Sequence, residues 1–385
     1  MDFELSVEHR MIGDLAAKFV AKDLMPLEAL ALQREASGMG LTLPSEAREQ
    51  LDAKARSLGL WGLDAPEEYG GANLPMTALV GVKEQLGRTI TPYILPPDSP
   101  NLRMLVATVD DRQRRTYLEP YARGEVTSAI AISEPNAGAD PAGMITRAER
   151  DGDGWIINGR KIWITRAAES DFTIVMAVTD KAKGTRGGIS AFIVDRNTPG
   201  FNVLRKIEMI GGAYTYEIAL EDCRVEGWKL LGKLGEGFAP MQLRLGTRRI
   251  EIAAWSIGIA QRALDMICEY APQRTTFGKP LSERQAIQWW VAEAATRIHA
   301  ARLMTYDCAW KLDQGRDVRQ EISMIKYFAT EMAYETVDAA MQTFGAMGMT
   351  KELVLHALSS KVRVMRIYDG PTEIHKWVIA RNLMK

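Results

Sequence analysis

The sequence predicts an α+β fold in which a helical N-terminal domain precedes a middle antiparallel β domain and a C-terminal helical bundle. In the first and last parts of the chain, apolar residues recur every three or four positions. Between them lie short segments rich in β-branched and aromatic residues, separated by glycine turns. At 385 residues the chain is long enough for two or three domains. We place them at residues 1–122, 123–235 and 236–385.

The N-terminal segment reads as helices broken by loops. A helix is predicted over Val7–Leu24, with Val7 and Met11 on its apolar face and Pro26 as its stop. A second helix is predicted over Ser45–Leu58. This part of the chain therefore belongs to a helical domain.

The middle segment has the sequence pattern of a β-sheet, with short apolar segments between turn signals. A short strand, Trp155-Ile156-Ile157, lies between the turn signals DGDG at 151–154 and NG at 158–159. Further strands are predicted at Phe172–Val178, Ile189–Val194 and Tyr214–Leu220. Glycine turns between them indicate a small antiparallel sandwich or barrel.

The last segment is helical again and contains the longest predicted helix. Leu281–Leu312 has no glycine or proline, and Ser282 with Gln285 matches a capping box at its start. Two helices follow at about 318–343 and 351–367, and a short one follows Pro371. Long amphipathic helices of this kind bury one face in a bundle or a subunit interface.

Composition excludes several classes of function. The net charge is −1, so no electrostatic footprint for nucleic acid or an anionic membrane is present. The three cysteines are far apart and the four histidines lack metal-ligand spacing, so we expect neither disulfides nor a metal site. The first residues are acidic and no apolar run reaches the length of a membrane span. We therefore expect no secretory signal and a reducing cytoplasm.

One carboxylate stands out near the C-terminus. Asp369 lies in the sequence YDGPT at 368–372, just before the last predicted helix. Taken locally, Asp-Gly-Pro is a turn signal, and the ordinary interpretation is a surface turn or a helix N-cap. The rest of the chain favours a catalytic interpretation.

Two segments around the middle domain resemble those of the acyl-CoA dehydrogenase flavoenzymes. SEPNAGAD at 133–140 is similar to the family form (T/S)EPxAGSD, with Ala139 in place of a serine that touches CoA. NGRKIWIT at 158–165 is similar to NGxKxWIT at every defined position. The resemblance implies FAD, with the backbone N–H groups of Ile132 and Ser133 at the flavin pyrimidine edge. It also implies that Trp163 covers the isoalloxazine and that Thr165 forms a hydrogen bond near N5. The alternative interpretations are a plain loop for the first segment and a strand with a packed tryptophan for the second.

Two further segments extend the resemblance over nearly the whole chain. RTTFGKPLSERQ at 274–285 is similar to the family segment that reaches the FAD of a neighbouring subunit, and QTFGAMG at 342–348 to the one that holds the adenosine side. The second segment departs mildly, with Ala346 replacing a glycine. The implied FAD contacts are Arg274, Thr276, Phe277, Gln285, Gln342 and Gly345. A cofactor shared in this way implies a homo-oligomer, a tetramer or a dimer, with a homotetramer as our choice.

The resemblance also implies the chemistry. The family removes an α-proton from an acyl-CoA thioester and passes the β-hydrogen as hydride to flavin N5, giving a 2-enoyl-CoA, as in fatty acid metabolism. Asp369 aligns with the glutamate base of the usual Tyr-Glu-Gly-Thr, and Pro371 with its threonine. Aspartate is shorter by one methylene, roughly 1.5 Å of reach. Arg249 and Gly370 are implied on the substrate side, and an electron-transfer flavoprotein as the electron acceptor.

Several alternatives remain open at this point. Arg248 either faces the acyl pocket, where it would favour a polar or acidic acyl group, or faces solvent, as unpaired arginine usually does. Trp255 either shortens the acyl pocket or packs in the core. An aspartate base also suits a nitroalkane oxidase, and the fold serves flavin oxidases and monooxygenases. A scaffold without catalysis is disfavoured by the intact Trp-Ile-Thr and the retained carboxylate.

Overall fold

The computed structural model describes residues 5 to 384, in two compact units. Among the described residues, the helical unit comprises 5–60, 74–94 and 248–384, and the sheet unit comprises 61–73 and 95–247. The N-terminal and C-terminal helical segments thus share one unit. The domain boundaries proposed from the sequence, at residues 122/123 and 235/236, stay a prediction. The prediction that the chain has no secretory signal was based on residues 1 to 4, which lie outside the described residues.

Helices dominate both ends of the chain. In chain order they are α1 (Val7–Phe19), α2 (Glu28–Ala36), α3 (Ser45–Ser57), α4 (Met76–Gly87), α5 (Ser99–Thr108), α6 (Asp111–Gln113), α7 (Glu119–Arg123), α8 (Phe238–Tyr270), α9 (Gln285–Asp313), α10 (Arg319–Phe344), α11 (Leu355–Met365) and α12 (Thr372–Leu383). Between residues 5 and 384 no helix is long and apolar enough to cross a membrane.

The first helix differs from its prediction in both its face and its end. Val7 and Met11 are exposed, whereas Phe19 and Leu24 are buried. Pro26 does not end the helical segment, because it lies near the start of a 3₁₀ turn, where its missing N–H is not needed. Helix α2 follows this turn directly. The apolar face of this segment is therefore buried only in its C-terminal half.

The longest predicted helix begins later than its capping box suggested. α9 starts at Gln285 after an extended residue, Arg284, so Ser282 is not its N-cap. The backbone N–H of Ser282 instead donates to the carbonyl of Ala271 (3.0 Å), and that of Leu281 to Arg274 (2.8 Å). These bonds close the preceding loop and delay the helix.

The helical unit is centred on close contacts between long helices. α10 packs against α9, α11 and α12, and α4 packs against α1 and α9. Two glycines let α4 and α8 approach at backbone distance: a Cβ at Gly258 would lie 1.9 Å from the carbonyl oxygen of Glu84, and one at Gly87 would lie 2.3 Å from that of Trp255. This packing fixes α8, which carries Arg248 and Arg249.

The sheet unit contains one large mixed sheet, and a small hairpin lies in the helical unit. The strands are β1 (Ser128–Ala131), β2 (Arg147–Asp151), β3 (Gly154–Ile164), β4 (Phe172–Val178), β5 (Ile189–Asp195), β6 (Phe201–Glu208), β7 (Tyr214–Val225), β8 (Leu230–Leu231), β9 (Thr275–Thr276) and β10 (Lys279–Pro280). The large sheet has the order β6-β7-β3-β2-β4-β5-β8, with β1 beside β4. Its ladders are antiparallel as predicted, except that β1 and β2 run parallel to β4.

Both faces of the central strands are buried. Ile174 and Met176 of β4 join one apolar cluster, which includes Leu102 of α5, whereas Val175 and Ala177 join a second cluster on the opposite face. A strand covered on both sides reads as a continuous apolar run, which explains why β4 was recognised from sequence.

The predicted turn at Asn158-Gly159 is wrong. Both residues lie inside β3, where the register shifts between Ile157 and Gly159 as in a β-bulge. Gly159 is required there because a Cβ would lie 2.3 Å from Oγ1 of Thr146. The asparagine-glycine pair therefore bends a strand instead of ending it.

Candidate active site

The turn that carries Asp369 joins α11 to α12 in the helical unit. Asp369 is half-buried and has φ +53°, a left-handed conformation that few non-glycine residues adopt. Gly370 follows with φ +99°. Such conformations persist only where the surroundings hold them, which makes the contacts of this turn informative.

Two cationic side chains hold the carbonyl groups of the turn. Nε of Arg249, on α8, donates to the carbonyl oxygen of Asp369 (2.7 Å). Nζ of Lys326, on α10, donates to that of Gly370 (2.6 Å). Hydrogen bonds from charged donors are roughly twice as strong as neutral ones. The backbone of the turn is thus fixed from two different helices.

A buried histidine lies against the same turn. His375, one turn into α12, is only 1% exposed, and a Cβ at Gly370 would lie 3.0 Å from its Nε2. Burial, together with the positive charges of Arg249 and Lys326, lowers the pKa of His375 to about 3. The ring is therefore neutral at physiological pH, and a side chain at residue 370 would have to displace it or the turn.

The start of α12 is anchored by a second set of contacts. Oγ1 of Thr372 donates to Oε1 of Glu331 (2.6 Å), whose other oxygen pairs with Nη2 of Arg366 (2.7 Å). Glu331 lies on α10 and Thr372 is the first residue of α12, whereas Arg366 directly follows the last residue of α11. The helices on both sides of the Asp369 turn are thereby tied to α10.

Of the two alternatives left open for Arg248, the one in which it faces solvent is wrong. Its side chain is buried, pairs with Glu251 (2.7 Å) and lies over the ring of Trp255 at 5.2 Å. Nζ of Lys83 pairs with the other oxygen of Glu251 (2.6 Å), so one buried carboxylate is shared by two buried cations. Carboxylate sharing compensates the desolvation of the arginine, which the sequence argument had not considered.

In the sheet unit, the segment after β1 is held by a buried ion pair. Lys161 and Glu134 pair at 2.9 Å, and Nζ of Lys161 also donates to the carbonyl of Ile132 (3.0 Å). The backbone N–H of Ile162 donates to the carbonyl of Ser133 (3.0 Å). The carbonyl groups of Ile132 and Ser133 are thus engaged by β3.

Beside this segment an aromatic side chain is presented to the outside of the sheet unit. Trp163 has φ +63° and is 52% exposed within the chain, and Thr165, just past the strand, is also exposed. A large exposed aromatic on a rigid strand, next to a pinned loop, fits the face of a planar ring system such as a flavin.

The predicted subunit-bridging residues lie on a projecting hairpin. β9 and β10 are joined by Phe277 and Gly278, both with positive φ, and Phe277 is 98% exposed. Arg274 and Gln285, at its two ends, are exposed as well. The guanidinium of Arg284 holds the carbonyl of Thr276.

The last predicted cofactor segment ends α10. Gln342 is exposed, and Gly345 terminates the helix with φ +61°. The ring of Phe344 stacks on Tyr270, with centroids 4.1 Å apart. Gln342 and Gly345 thus stand on a surface that is fixed from within the helical unit.

The structure brings some of the predicted residues together. Arg249, Asp369 and Gly370 meet at one turn, and Ile132 and Ser133 lie beside the strand of Trp163. Sequence reasoning gave no role to Lys326, His375 or the Glu134–Lys161 pair. Both members of that pair lie inside quoted motifs, which was the available signal, whereas Lys326 has no local signature.

Family models agree with this architecture. The chain matches the acyl-CoA dehydrogenase N-terminal domain over residues 6–125, the middle domain over 129–223 and the C-terminal domain over 235–384. The fold and the site thus define a flavin-dependent oxidoreductase that acts on acyl-CoA. The chain belongs to the acyl-CoA dehydrogenase family.

Individual relatives extend over the full chain. (R)-benzylsuccinyl-CoA dehydrogenase of Thauera aromatica is 39% identical, covering 100% of this chain and 97% of that protein. The caffeyl-CoA reductase-Etf complex subunit CarC of Acetobacterium woodii is 34% identical, covering 99% of both. The structure of butyryl-CoA dehydrogenase from Megasphaera elsdenii is similar with a TM-score of 0.90 and 31% identity, covering 100% of both chains.

Proposed function

We propose that this protein is an FAD-dependent acyl-CoA dehydrogenase in which the carboxylate of Asp369 removes the α-proton of the thioester substrate. The observation that carries the proposal is the turn itself, whose two carbonyl groups are each held by a cation, Arg249 or Lys326. A general base must be placed within hydrogen-bond reach of its proton, and typically contributes 10²–10⁴-fold to the rate. Such a rigid turn suits an aspartate that has less reach than glutamate.

FAD, when bound, would accept the β-hydrogen as hydride. Its isoalloxazine would lie against Trp163, with Thr165 and the N–H groups of Ile132 and Ser133 at its polar edge. Exposure of Trp163 and immobilisation of the neighbouring segment by Lys161 support this assignment. On the substrate side we place Arg249 and Gly370; the absence of a Cβ at Gly370 lets His375 and Arg249 lie against the turn.

A homo-oligomer, a tetramer or a dimer, would complete the cofactor site. The proposed contacts to FAD from a second subunit are Arg274, Thr276, Phe277 and Gln285, with Gln342 and Gly345 on the adenosine side. A phenylalanine that is 98% exposed at the tip of a structured hairpin supports burial in an assembly. The planar fork of Arg274 suits a pyrophosphate.

The proposed electron partner is an electron-transfer flavoprotein. The Acetobacterium woodii relative is named as a subunit of a complex with such a protein. That relative is also named as a reductase, which favours one second candidate: reduction of an enoyl-CoA by the same site. In that direction the acid form of Asp369 would return the proton to the α-carbon.

The test is an anaerobic absorbance titration of the purified flavoprotein with a panel of acyl-CoA thioesters. The panel includes butyryl-CoA, aryl-bearing thioesters and a nitroalkane. We expect one class of thioester to bleach the flavin band. We expect Asp369→Asn to retain flavin and bind the thioester, while its flavin is reduced about 10²- to 10⁴-fold more slowly than that of the wild type. Asp14→Asn, on the exposed face of α1, is the matched control and should behave as the wild type.

Each other result has a defined meaning. Normal reduction by Asp369→Asn would overturn the role of Asp369. Bleaching by the nitroalkane alone would identify a nitroalkane oxidase, and oxidation of a chemically reduced enzyme by enoyl-CoA but no reduction by acyl-CoA would identify a reductase. Rapid reoxidation by oxygen would favour a flavin oxidase or monooxygenase.

A further inference from the structure

The ammonium group of Lys326 occupies an unusual place for a lysine. The side chain lies in the first half of α10 and is 0% exposed, and it donates to the carbonyl oxygen of Gly370 at 2.6 Å. A buried charge is costly unless its surroundings compensate for it. Burial accordingly lowers the pKa of Lys326 to about 8, although the charge of Asp369 opposes this shift. Burying this ammonium group thus costs folding free energy, and the group contacts the turn that carries the proposed base.

The contact addresses a specific weakness of the turn. Asp369 has φ +53° and is followed by Gly370, the residue with the greatest backbone freedom. A flexible residue directly after a short base would let the carboxylate sample many positions. Arg249 holds the carbonyl before this hinge and Lys326 the carbonyl after it.

We propose that Lys326 is a positioning residue, which fixes the backbone after Asp369 so that its carboxylate stays directed at the α-carbon of the substrate. This inference rests on the proposed role of Asp369 as the base. Lys326 touches the peptide that follows the base and acts on the reaction only through it.

The surrounding charges agree with this assignment. Asp369, Glu331 and Glu373 attract the ammonium group, whereas Arg249 repels it. His375, on the other side of Gly370, stays neutral and adds no further positive charge at physiological pH. Lys326 therefore remains mostly protonated at neutral pH, as a strong donor to the Gly370 carbonyl.

The experiment compares Lys326→Met with Lys361→Met. Lys361 is a matched control because burial lowers its pKa to about 8 as well, and it donates to a backbone carbonyl of the same unit, that of Thr89. We expect Lys326→Met to slow flavin reduction by about 10- to 100-fold, with KM for the thioester within about 3-fold, since a misplacement of 1 Å can cost 10²-fold. Lys361→Met should leave the rate within about 3-fold of wild type.

A second readout does not depend on activity. Hydrogen exchange of the peptide covering residues 366–372 should become faster in Lys326→Met and stay unchanged in Lys361→Met, because the turn loses one of its two anchors. Lys326→Gln, which keeps an N–H donor, should lie between wild type and Lys326→Met in both readouts, and it serves if Lys326→Met fails to fold.

The two proposals fail in different ways. If no thioester reduces the wild-type flavin, the proposed function fails. If the wild type is reduced and Lys326→Met matches it in rate and in exchange, the positioning role is overturned. Equal losses in Lys326→Met and Lys361→Met would also overturn it, since the loss would then not depend on the contact with Gly370.

Discussion

Two buried lysines, one in each unit, solve the same problem by different means. Lys161 in the sheet unit and Lys326 in the helical unit are both 0% exposed, and burial lowers the pKa of each to about 8. Each donates to a backbone carbonyl next to a predicted site residue. Lys161 also has a carboxylate partner, Glu134, at 2.9 Å, whereas the hydrogen bond of Lys326 goes to the Gly370 carbonyl.

The difference separates stability from positioning. Although burial alone would raise the pKa of Glu134, the charge of Lys161 and the N–H groups of Ile145 and Thr146 hold it below its ordinary value. Both members of that ion pair are buried, so removing either one leaves an unpaired buried charge. The Lys326 contact holds a hinge beside a reactive carboxylate. We therefore expect loss of the first lysine to weaken the fold and loss of the second to weaken catalysis.

The largest expected effect is that of Lys161→Met. Removing one partner of a buried ion pair typically costs about 3–5 kcal/mol of unfolding free energy, because the other charge stays buried. Chemical denaturation of the variant should show this loss, and the double variant with Glu134→Gln should recover part of it. A smaller loss for Lys161→Met than for Lys326→Met would reverse the comparison.

A smaller effect is expected at the hinge itself. Gly370→Ala places a methyl group 3.0 Å from Nε2 of His375 and 3.4 Å from Nη2 of Arg249, at φ +99°. Backbone strain of this kind costs about 1–3 kcal/mol, and here the Asp369 turn should shift to relieve it. We expect flavin reduction to slow about 10-fold. Gly315→Ala, in the loop between α9 and α10, is the control, since it has φ +69° but nothing within 4 Å of its Cβ, and it should not change this rate.

The last expected effect, which needs no substitution, is a pH dependence of stability. Lys161 and Lys326 have folded-state pKa values of about 8, below the ordinary 10.5, so above pH 8 the unfolded chain binds more protons than the folded one. The free energy of unfolding should therefore rise with pH from about 8, by at most about 1.4 kcal/mol per pH unit for each lysine. Denaturation at pH 7.5 and 9.0 tests this.

The variants sharpen the same measurement. Lys161→Met and Lys326→Met should each show a smaller rise than the wild type. The thiols of Cys223 and Cys308, whose pKa values burial raises from 9 to about 11 and 12, act in the opposite direction once the unfolded thiols lose their protons near pH 9, so they reduce the rise only at the upper end of this range. A wild type whose stability falls between pH 7.5 and 9.0 would contradict the expected direction.

The sequence was informative where one local pattern determines the structure. The continuous apolar run of β4 and the heptad-like spacing of α9 predicted both elements, because burial of a face leaves a periodic trace. Asn158-Gly159 misled because the same dipeptide suits a hairpin turn and a bulge, and only pairing with β7 decides between them. Long-range pairing of this kind leaves no local trace.

The candidate site was predictable to a similar extent. Motif resemblance led to Asp369, Arg249 and Trp163, whose roles await experiment. Lys326 was missed because it is separated from Gly370 by 44 residues and lies in an otherwise ordinary helix. The sequence left the place of Arg248 open; its partner Glu251 lies three residues further on the same helix, but the second partner of that carboxylate, Lys83, is found only when α4 packs against α8.

The bulge in β3 also bears on how the protein ages. Asparagine followed by glycine is the dipeptide in which the asparagine amide is most readily lost, since the next backbone nitrogen can attack the side-chain carbonyl. In the fold, Nδ2 of Asn158 donates to Asp222 (3.1 Å) and Oδ1 accepts from its backbone N–H (2.8 Å), so the side chain is turned toward β7. Ageing at this position should therefore report how often the strand opens, and chains that have been unfolded should carry more of the damage than chains that stayed folded.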